Sequence, residues 1–298
     1  MPSLKDYISD SELDALLDTA RREDLGPTGL DATSSLFINE KAKARACIVA
    51  RQPGTVAGLA LLPAIIDCYD ERVGLESSVA DGDRVRAGDQ VTVFDGPLRS
   101  VLGLERVALN FLGHLSGVAM HTAAFADRIA HTPAKIYDTR KTIPGLRGLQ
   151  KYAVACGGGG THRMGLYDAV LVKDNHLATV PLEDWTDALR QMAKRARAEV
   201  PGLKFVMVEV DTLEQFDRVL PAAVDLVLLD NMTPEELRHA VKKRDTEAPH
   251  IQLEASGGVT LDTVTAIAEA GVDRISVGAL THSSVNLDFG LDISPAGS

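Results

Sequence analysis

What this chain lacks narrows the reading first. It has only three cysteines, Cys47, Cys68 and Cys156. They are odd in number and far apart, so they fit neither a disulfide framework nor a zinc site, and a cytoplasmic, reducing setting is expected. It has no excess of basic residues: Lys and Arg total 31 against 42 Asp and Glu, a formal net charge of −11. Sequence-independent nucleic-acid binding needs a basic footprint. No nucleic-acid partner is therefore expected, and a basic pocket in so acidic a chain requires a specific reason. It also has no long apolar run. The stretch Val56–Ile66 is interrupted by Pro63 and is too short to span a bilayer. The opening residues MPSLKDYISDSELDALLD mix acids with apolar residues, without the basic region and apolar core of a signal peptide. No membrane association is expected.

The 298 residues are enough for one barrel or two smaller domains, each with a core of its own. Ser9 and Glu12 have the spacing of a capping box, and Leu13, Leu16, Leu17 and Ala20 follow at helical intervals, which predicts an opening amphipathic helix. From about Lys41 to Val93 the texture changes to strand-like runs broken by Gly, Pro and Asp, as in a small α+β domain on an antiparallel sheet. Within it, Asp81–Gln90 (DGDRVRAGDQ) resembles the hairpins of lipoyl and biotinyl carriers but lacks the attachment lysine, so it reads as scaffold. A long helix is predicted from about Ser100 to Ala130. One face carries Leu104, Val107, Ala108, Phe111, Leu112 and Leu115; another carries Arg106, Asn110 and His114, four apart.

Beyond that helix one pattern repeats. Short apolar runs, AKIYDTRK, DAVLVKDNH, FVMVEVD, DLVLLDNM, IQLEASGG and RISVGALTH, each end in a charged or glycine-rich turn. Continuous Val/Ile/Leu runs suit parallel strands buried on both faces. Helix-like segments lie between several of them, with a plausible start at Thr233-Pro234. The alternation predicts a parallel α/β barrel, incomplete because about six strands are visible; a doubly wound sheet is the alternative. The expected organisation is an N-terminal α+β domain over residues 1–112, a barrel over 113–279, and a tail, 280–298, packed on the first.

Catalytic groups in such barrels gather at the C-terminal ends of the strands. Arg140, Lys141, His162, Arg163 and Lys173 stand there as a cationic set suited to a polyanionic small molecule. Glu209 and Asp230 add carboxylates, hard oxygen ligands suited to Mg²⁺ shared with substrate phosphates, or to sugar hydroxyls. The Ser256-Gly257-Gly258 and Val277-Gly278-Ala279 turns offer backbone N–H groups for a phosphate. Taken singly, each feature has a plainer account. A lone strand-end cation is more often a solvated charge, a glycine run is usually only a turn, and Asp230 could cap a helix. What favours function is their convergence on one end of one predicted barrel.

The same residues carry a family resemblance. The chain resembles the quinolinate phosphoribosyltransferases in EDLG (Glu23–Gly26), ERVALNFLGHLSGVA (Glu105–Ala119), YDTRKTIPGLR (Tyr137–Arg147) and KYAVACGGGGTHRMGLYDAVLVKDNH (Lys151–His176). EVD (Glu209–Asp211), LLDNM (Leu228–Met232), LEASGGV (Leu253–Val259) and DRISVGALTHS (Asp273–Ser283) follow in family order. The combination of DTRK, GGGxxHR, KDNH and ASGG is highly specific. Departures are Thr161 where the family often has Asn, Ala155 where it often has Arg, and a blurred early motif, GLDAT. The resemblance implies an N-terminal open-faced α+β sandwich beside an incomplete barrel. It implies transfer of phosphoribosyl from phosphoribosyl pyrophosphate to quinolinate with decarboxylation, Mg²⁺ as cofactor, and a homodimer in which Arg106 serves the neighbour's site. The residues it assigns to catalysis are Lys173, Glu209 and Asp230. Substrate binding would involve these three with Arg106, Thr139, Arg140, Lys141, His162, Arg163, Ser256, Gly257, Gly258, Val277, Gly278, Ala279 and His282, and Glu209 with Asp230 would bind the metal. The competing readings are a relative acting on another pyridine or azole acid, and a non-catalytic metabolite-binding barrel.

Overall fold

The structure, a computed structural model, describes residues 2–295. Its chain divides into two compact units. One holds the residues up to Ala123 together with Ile143–Gly158 and the segment from Ser283 onward; the other holds Ala124–Thr142 and Gly159–His282.

In the first unit, α1 (Asp10–Leu25) starts at the expected capping box: Ser9 Oγ accepts from Glu12 N–H at 3.3 Å and Glu12 Oε2 from Ser9 N–H at 3.0 Å. Leu13 and Leu17 are its buried residues. There follow α2 (Ala32–Phe37), β1 (Lys43–Ala50), β2 (Gly54–Thr55), α3 (Leu62–Tyr69), β3 (Gly74–Ser77), β4 (Arg84–Val85) and β5 (Gln90–Pro97). In β1, Ala44, Ala46, Ile48 and Ala50 are buried while Lys43 and Arg45 are exposed, the period of two that one covered face requires. The stretch that resembles a carrier hairpin is scaffold. β4 pairs with β2, and buried Asp81 accepts from Leu59 N–H (2.9 Å), Ala60 N–H (3.1 Å) and the Tyr152 hydroxyl (2.6 Å).

The long helix is α4 (Leu98–Arg128). The contact boundary falls inside it, at Ala123, and not at the expected residue 112, because the helix passes that point unbroken. Also in the first unit is α5 (Arg147–Cys156), whose Leu149–Val154 are all buried and whose Tyr152 ring meets Tyr7 edge-on, centroids 5.8 Å apart.

In the second unit, β6 (Lys135–Tyr137), β7 (Val170–Val172), β8 (Val206–Val210), β9 (Leu226–Asp230), β10 (Gln252–Ser256) and β11 (Arg274–Ser276) form a parallel sheet in the order β6-β11-β10-β9-β8-β7. This is the cyclic order of an α/β barrel with one open seam, between β6 and β7. Each of the six predicted apolar runs is one strand. Helices α6 (Asp174–Leu177), α7 (Trp185–Glu199), α8 (Leu213–Val219), α9 (Pro234–Glu247), α10 (Val264–Ala268) and α11 (Ala279–His282) complete the unit. At the seam, Gly160 makes an isolated parallel bridge to Tyr137, and its N–H donates to Ile136 C=O at 2.7 Å. A Cβ on Gly160 would lie 2.6 Å from the Tyr137 ring, so this close approach requires glycine. The chain then returns to the first unit, where β12 (Phe289–Pro295) pairs antiparallel with β1 to complete the sheet β12-β1-β5-β3.

Candidate active site

Side-chain alternation along the barrel strands builds the site. Met207, Leu226 and Leu228 form a buried cluster with Leu171 and Phe205 packed against it. Two residues further along the same strand faces come Glu209, Asp230 and Lys173. Glu254 and Ser256 on β10, and Arg274 and Ser276 on β11, repeat that spacing. The interior is therefore apolar at mid-depth and polar at the C-terminal strand ends, where a cavity of about 380 Å³ opens.

Of the residues predicted from sequence, Thr139, Arg140, Lys141, His162, Arg163, Lys173, Glu209, Asp230 and Ser256 line this cavity. Leu171, Leu228, Glu254 and Ser276 also line it. Glu254 had been read only as a strand-end residue; its spacing of two before Ser256 is the signal that places it on the interior face. Gly278 lies alongside, its α-carbon facing the Lys141 stem and the exposed His282 ring: a Cβ there would sit 3.0 Å from Lys141 Cδ and 3.3 Å from His282 Nε2. Val277 and Ala279 flank it in the turn. Gly258 is exposed with φ +57°, and nothing lies within 4 Å of where its Cβ would be. Arg106 belongs to the first unit and lines a different cavity there, with Glu23, Asp24, Asn110 and His114. His114 itself pairs with Gln150, Nε2 to Nε2 2.9 Å.

Charges in the barrel cavity are unequally matched. Lys173 Nζ is paired with Glu209 Oε2, and Glu254 with Arg274 Nε at 2.7 Å. Arg140, Lys141 and Arg163 then face one remaining carboxylate, Asp230. Arg140 Nε is buried without a hydrogen-bond partner among the described residues. Burial, then the neighbouring Arg140, pushes the Arg163 guanidinium below its ordinary pKa. Two crowded, partly dehydrated guanidiniums gain from any bound anion. On the opposite wall, burial and then Asp211 push the Asp230 carboxyl up, against the pull of Lys173 and Lys141.

Asp230 is held by its neighbours. Asn231, with φ 55°, donates from Nδ2 to Asp230 Oδ2 at 2.7 Å and from its backbone N–H to Ser256 C=O at 2.9 Å. Gly257, φ +92°, packs so closely that a Cβ would lie 2.1 Å from Asn231 Oδ1. Only glycine fits, and the last turns of β9 and β10 are thereby locked together.

A parallel α/β barrel with guanidinium, ammonium and carboxylate groups converging at its strand ends defines an enzyme that binds a multiply anionic small molecule. Comparison with known proteins narrows this class. The pattern "Quinolinate phosphoribosyl transferase, C-terminal domain" matches residues 118–292, and its N-terminal counterpart matches residues 31–116. The chain belongs to the quinolinate phosphoribosyltransferase family. The Mycobacterium leprae nicotinate-nucleotide pyrophosphorylase [carboxylating] is 43% identical, covering 96% of this chain and all (100%) of that one. The probable Bacillus subtilis counterpart is 37% identical over 95% of this chain and 94% of its own. Among solved structures, NadC from Streptococcus pyogenes superposes with a TM-score of 0.87 at 35% identity, covering 97% of this chain and 98% of that one. No helix among the described residues is long and apolar enough to cross a membrane.

Proposed function

We infer that the barrel cavity transfers the phosphoribosyl group of phosphoribosyl pyrophosphate to quinolinate and decarboxylates the product, giving nicotinate mononucleotide, pyrophosphate and CO₂ in the cytoplasmic synthesis of NAD. The observation that carries this reading is the surplus of Arg140, Lys141 and Arg163 over Asp230 in a cavity whose Arg140 Nε has no partner among the described residues. Binding a dicarboxylate together with a pyrophosphate in a closed site is prohibitive without such cations.

Arg140, Arg163 and Lys173, with His162 on the wall, take the two carboxylates of quinolinate. Lys141 takes the pyrophosphate, and the Ser256-Gly257-Gly258 and Val277-Gly278-Ala279 turns, with His282, take the 5′-phosphate. The ring nitrogen then attacks the ribose C1 as the C1–O bond to pyrophosphate breaks, and the electron pair leaves with the pyrophosphate. Positive charge develops on the ribose, and Asp230 and Glu209 face it from the strand ends. In the second step the bond between the ring and the carboxylate beside the nitrogen breaks. Its electron pair stays on the ring carbon, stabilised by the adjacent quaternised nitrogen, until that carbon is protonated. Orientation and charge stabilisation suffice for this chemistry.

Mg²⁺ fits the site as a companion of the substrate. No group of three or more His, Cys, Asp or Glu among the described residues could hold a metal ion, so Glu209 and Asp230 would share the ion with pyrophosphate oxygens. Bound there, it would neutralise charge on the leaving group.

The proposed assembly is a homodimer, with Arg106 reaching the neighbouring subunit's cavity. In support, its side chain is 63% exposed, with Glu105 the nearest acid at 3.9 Å. Leu36 and Phe37 (90% and 86% exposed) and Leu166 and Tyr167 (both 72%) are large apolar groups left uncovered in the single chain. Mixing Arg106→Ala and Lys173→Ala proteins should restore activity in the heterodimer; no recovery despite proven subunit exchange would exclude a shared site.

The first experiment is turnover with Mg²⁺, phosphoribosyl pyrophosphate and either quinolinate or nicotinate, following nucleotide and CO₂ by mass. Nicotinate mononucleotide plus CO₂ from quinolinate alone is expected. Product from nicotinate alone, or none from either, would overturn the reading. Lys173→Ala, with circular dichroism showing an intact fold, should abolish turnover.

A further inference from the structure

Beneath the cavity lie four charged or titratable side chains more deeply buried than the chemistry above requires: Asp138 and Glu254 are 0% exposed, and His162 and Arg274 are each 7% exposed. Glu254 and Arg274 are register partners on the adjacent strands β10 and β11. Glu254 Oε2 lies 2.7 Å from Arg274 Nε. The guanidinium in turn lies over the Tyr137 ring, 3.7 Å from its centroid, with the Phe205 ring at 5.6 Å. The other carboxylate oxygen, Oε1, is 3.5 Å from His162 Nε2.

His162 is gripped from its other sides as well. Its backbone N–H donates to Asp138 Oδ1 at 2.8 Å, its ring Nδ1 accepts the Arg163 backbone N–H at 2.8 Å, and its ring meets Phe205 edge-on at 5.2 Å and 88°. A backbone N–H can only donate, so Nδ1 must carry a lone pair. A neutral ring then has its proton on Nε2, the nitrogen that faces Glu254.

Stability alone is a weak reason for such a pair. Two buried charges cost more in lost hydration than their attraction returns unless every polar atom is bonded, and apolar residues of the same volume would serve as well. Here Glu254 Oε1 and Arg274 Nη2 lack a hydrogen-bond partner among the described residues. Burial pushes the Glu254 carboxyl up and Asp138 adds to the push, while Arg274 and the Ser276 hydroxyl oppose it.

We propose that Glu254, balanced by Arg274, is a positioning residue for the substrate acid: it fixes the His162 ring as the Nε2–H tautomer and so sets the His162-Arg163 segment that presents Arg163 to the cavity. His162 thus takes part as an oriented neutral ring and not as a further cation. Glu254 acts through His162, and the proposal rests on the quinolinate reading of the cavity.

The test uses the full-length enzyme, Glu254→Gln, and the double variant Glu254→Gln/Arg274→Met, in which neither charge is left unpaired. Nitrogen-15 spectra of the resting wild type, with the His162 signal assigned by its loss in His162→Gln, should show a neutral ring protonated on Nε2. A ring protonated on Nδ1, or on both nitrogens at neutral pH, overturns the proposal whether or not the enzyme turns over quinolinate. In the double variant the melting temperature should stay near that of wild type while KM for quinolinate rises by about tenfold, the scale of a small misplacement of binding groups. KM for phosphoribosyl pyrophosphate should change less than about twofold, since positioning is confined to the acid subsite. A folded double variant with wild-type KM for quinolinate and an unchanged His162 tautomer overturns the proposal and makes the pair structural. If Glu254→Gln alone fails to fold because Arg274 is left uncompensated, the double variant still decides. Should wild type fail to turn over quinolinate, the functional reading falls, and the nitrogen-15 experiment still tests the tautomer independently.

Discussion

Replacing Gly257 by alanine tests the link between backbone geometry and the placement of Asp230. The residue has φ +92°, beyond the left-handed region that L-residues visit, so the strain alone costs about 1–2 kcal/mol. The new Cβ would stand 2.1 Å from Asn231 Oδ1, 2.5 Å from its Cγ and 2.8 Å from its backbone nitrogen. Rotating the side chain relieves the first two contacts and not the third, so the Asn231 backbone must withdraw. Its hydrogen bonds to Ser256 C=O (2.9 Å) and Asp230 Oδ2 (2.7 Å) are then lost, at about 1 kcal/mol each. The total is about 3–4 kcal/mol. Gly258→Ala is the stability control. At φ +57° with nothing within 4 Å it bears only the left-handed cost of about 1–2 kcal/mol. Urea unfolding should therefore place Gly257→Ala about 2 kcal/mol below Gly258→Ala, and turnover by Gly257→Ala should fall by about a hundredfold as Asp230 shifts. Equal stabilities in the two variants, with wild-type turnover in Gly257→Ala, would refute the argument.

The remaining predictions concern charge and burial. Because the folded-state pKa of Asp230 is raised, its ionisation weakens the fold at any pH above that raised value. The penalty disappears as pH falls below the unfolded value of about 3.9. Asp230→Asn should then unfold at higher urea than wild type at pH 7, lose that advantage near pH 3.5, and show severely reduced turnover; lower stability at pH 7 would contradict this. Inorganic pyrophosphate should raise the melting temperature of wild type by occupying the cationic cavity, and the rise should shrink in Arg140→Ala. The Cys156 thiol, pushed up to about 12 by burial and then by Asp81, should resist thiol reagents at neutral pH until the protein unfolds; rapid labelling of the native protein would count against its buried placement.

Residues that repeat at short range made most of this legible. Six Val/Ile/Leu-rich runs became β6 to β11 because a strand buried on both faces needs no partner to reveal itself in sequence. The apolar stripe of α4 and the capping box of α1 were equally local. What escaped depends on the tertiary environment. Helix α5 buries Gln150 and Lys151 along with its apolar residues, so it shows no polar face by which to be recognised. Strand β12 is a short run whose place beside β1 depends on the whole chain. In the site, cations and carboxylates at strand ends could be read one by one. The pairing of Glu254 with Arg274 could not, because it joins two strands whose neighbour relation only the fold supplies.

The open seam has a consequence for how the protein behaves among its own copies. β6 and β7 are the two edges of the parallel sheet, and unpaired edges invite a further strand from another molecule. Both are only three residues long, and the Tyr137 side of β6 is already capped by the Gly160 bridge. An incoming strand would find too few free amides to hold it. Leaving a barrel unclosed thus carries little aggregation hazard here, because the exposed rims are too short to serve as a template.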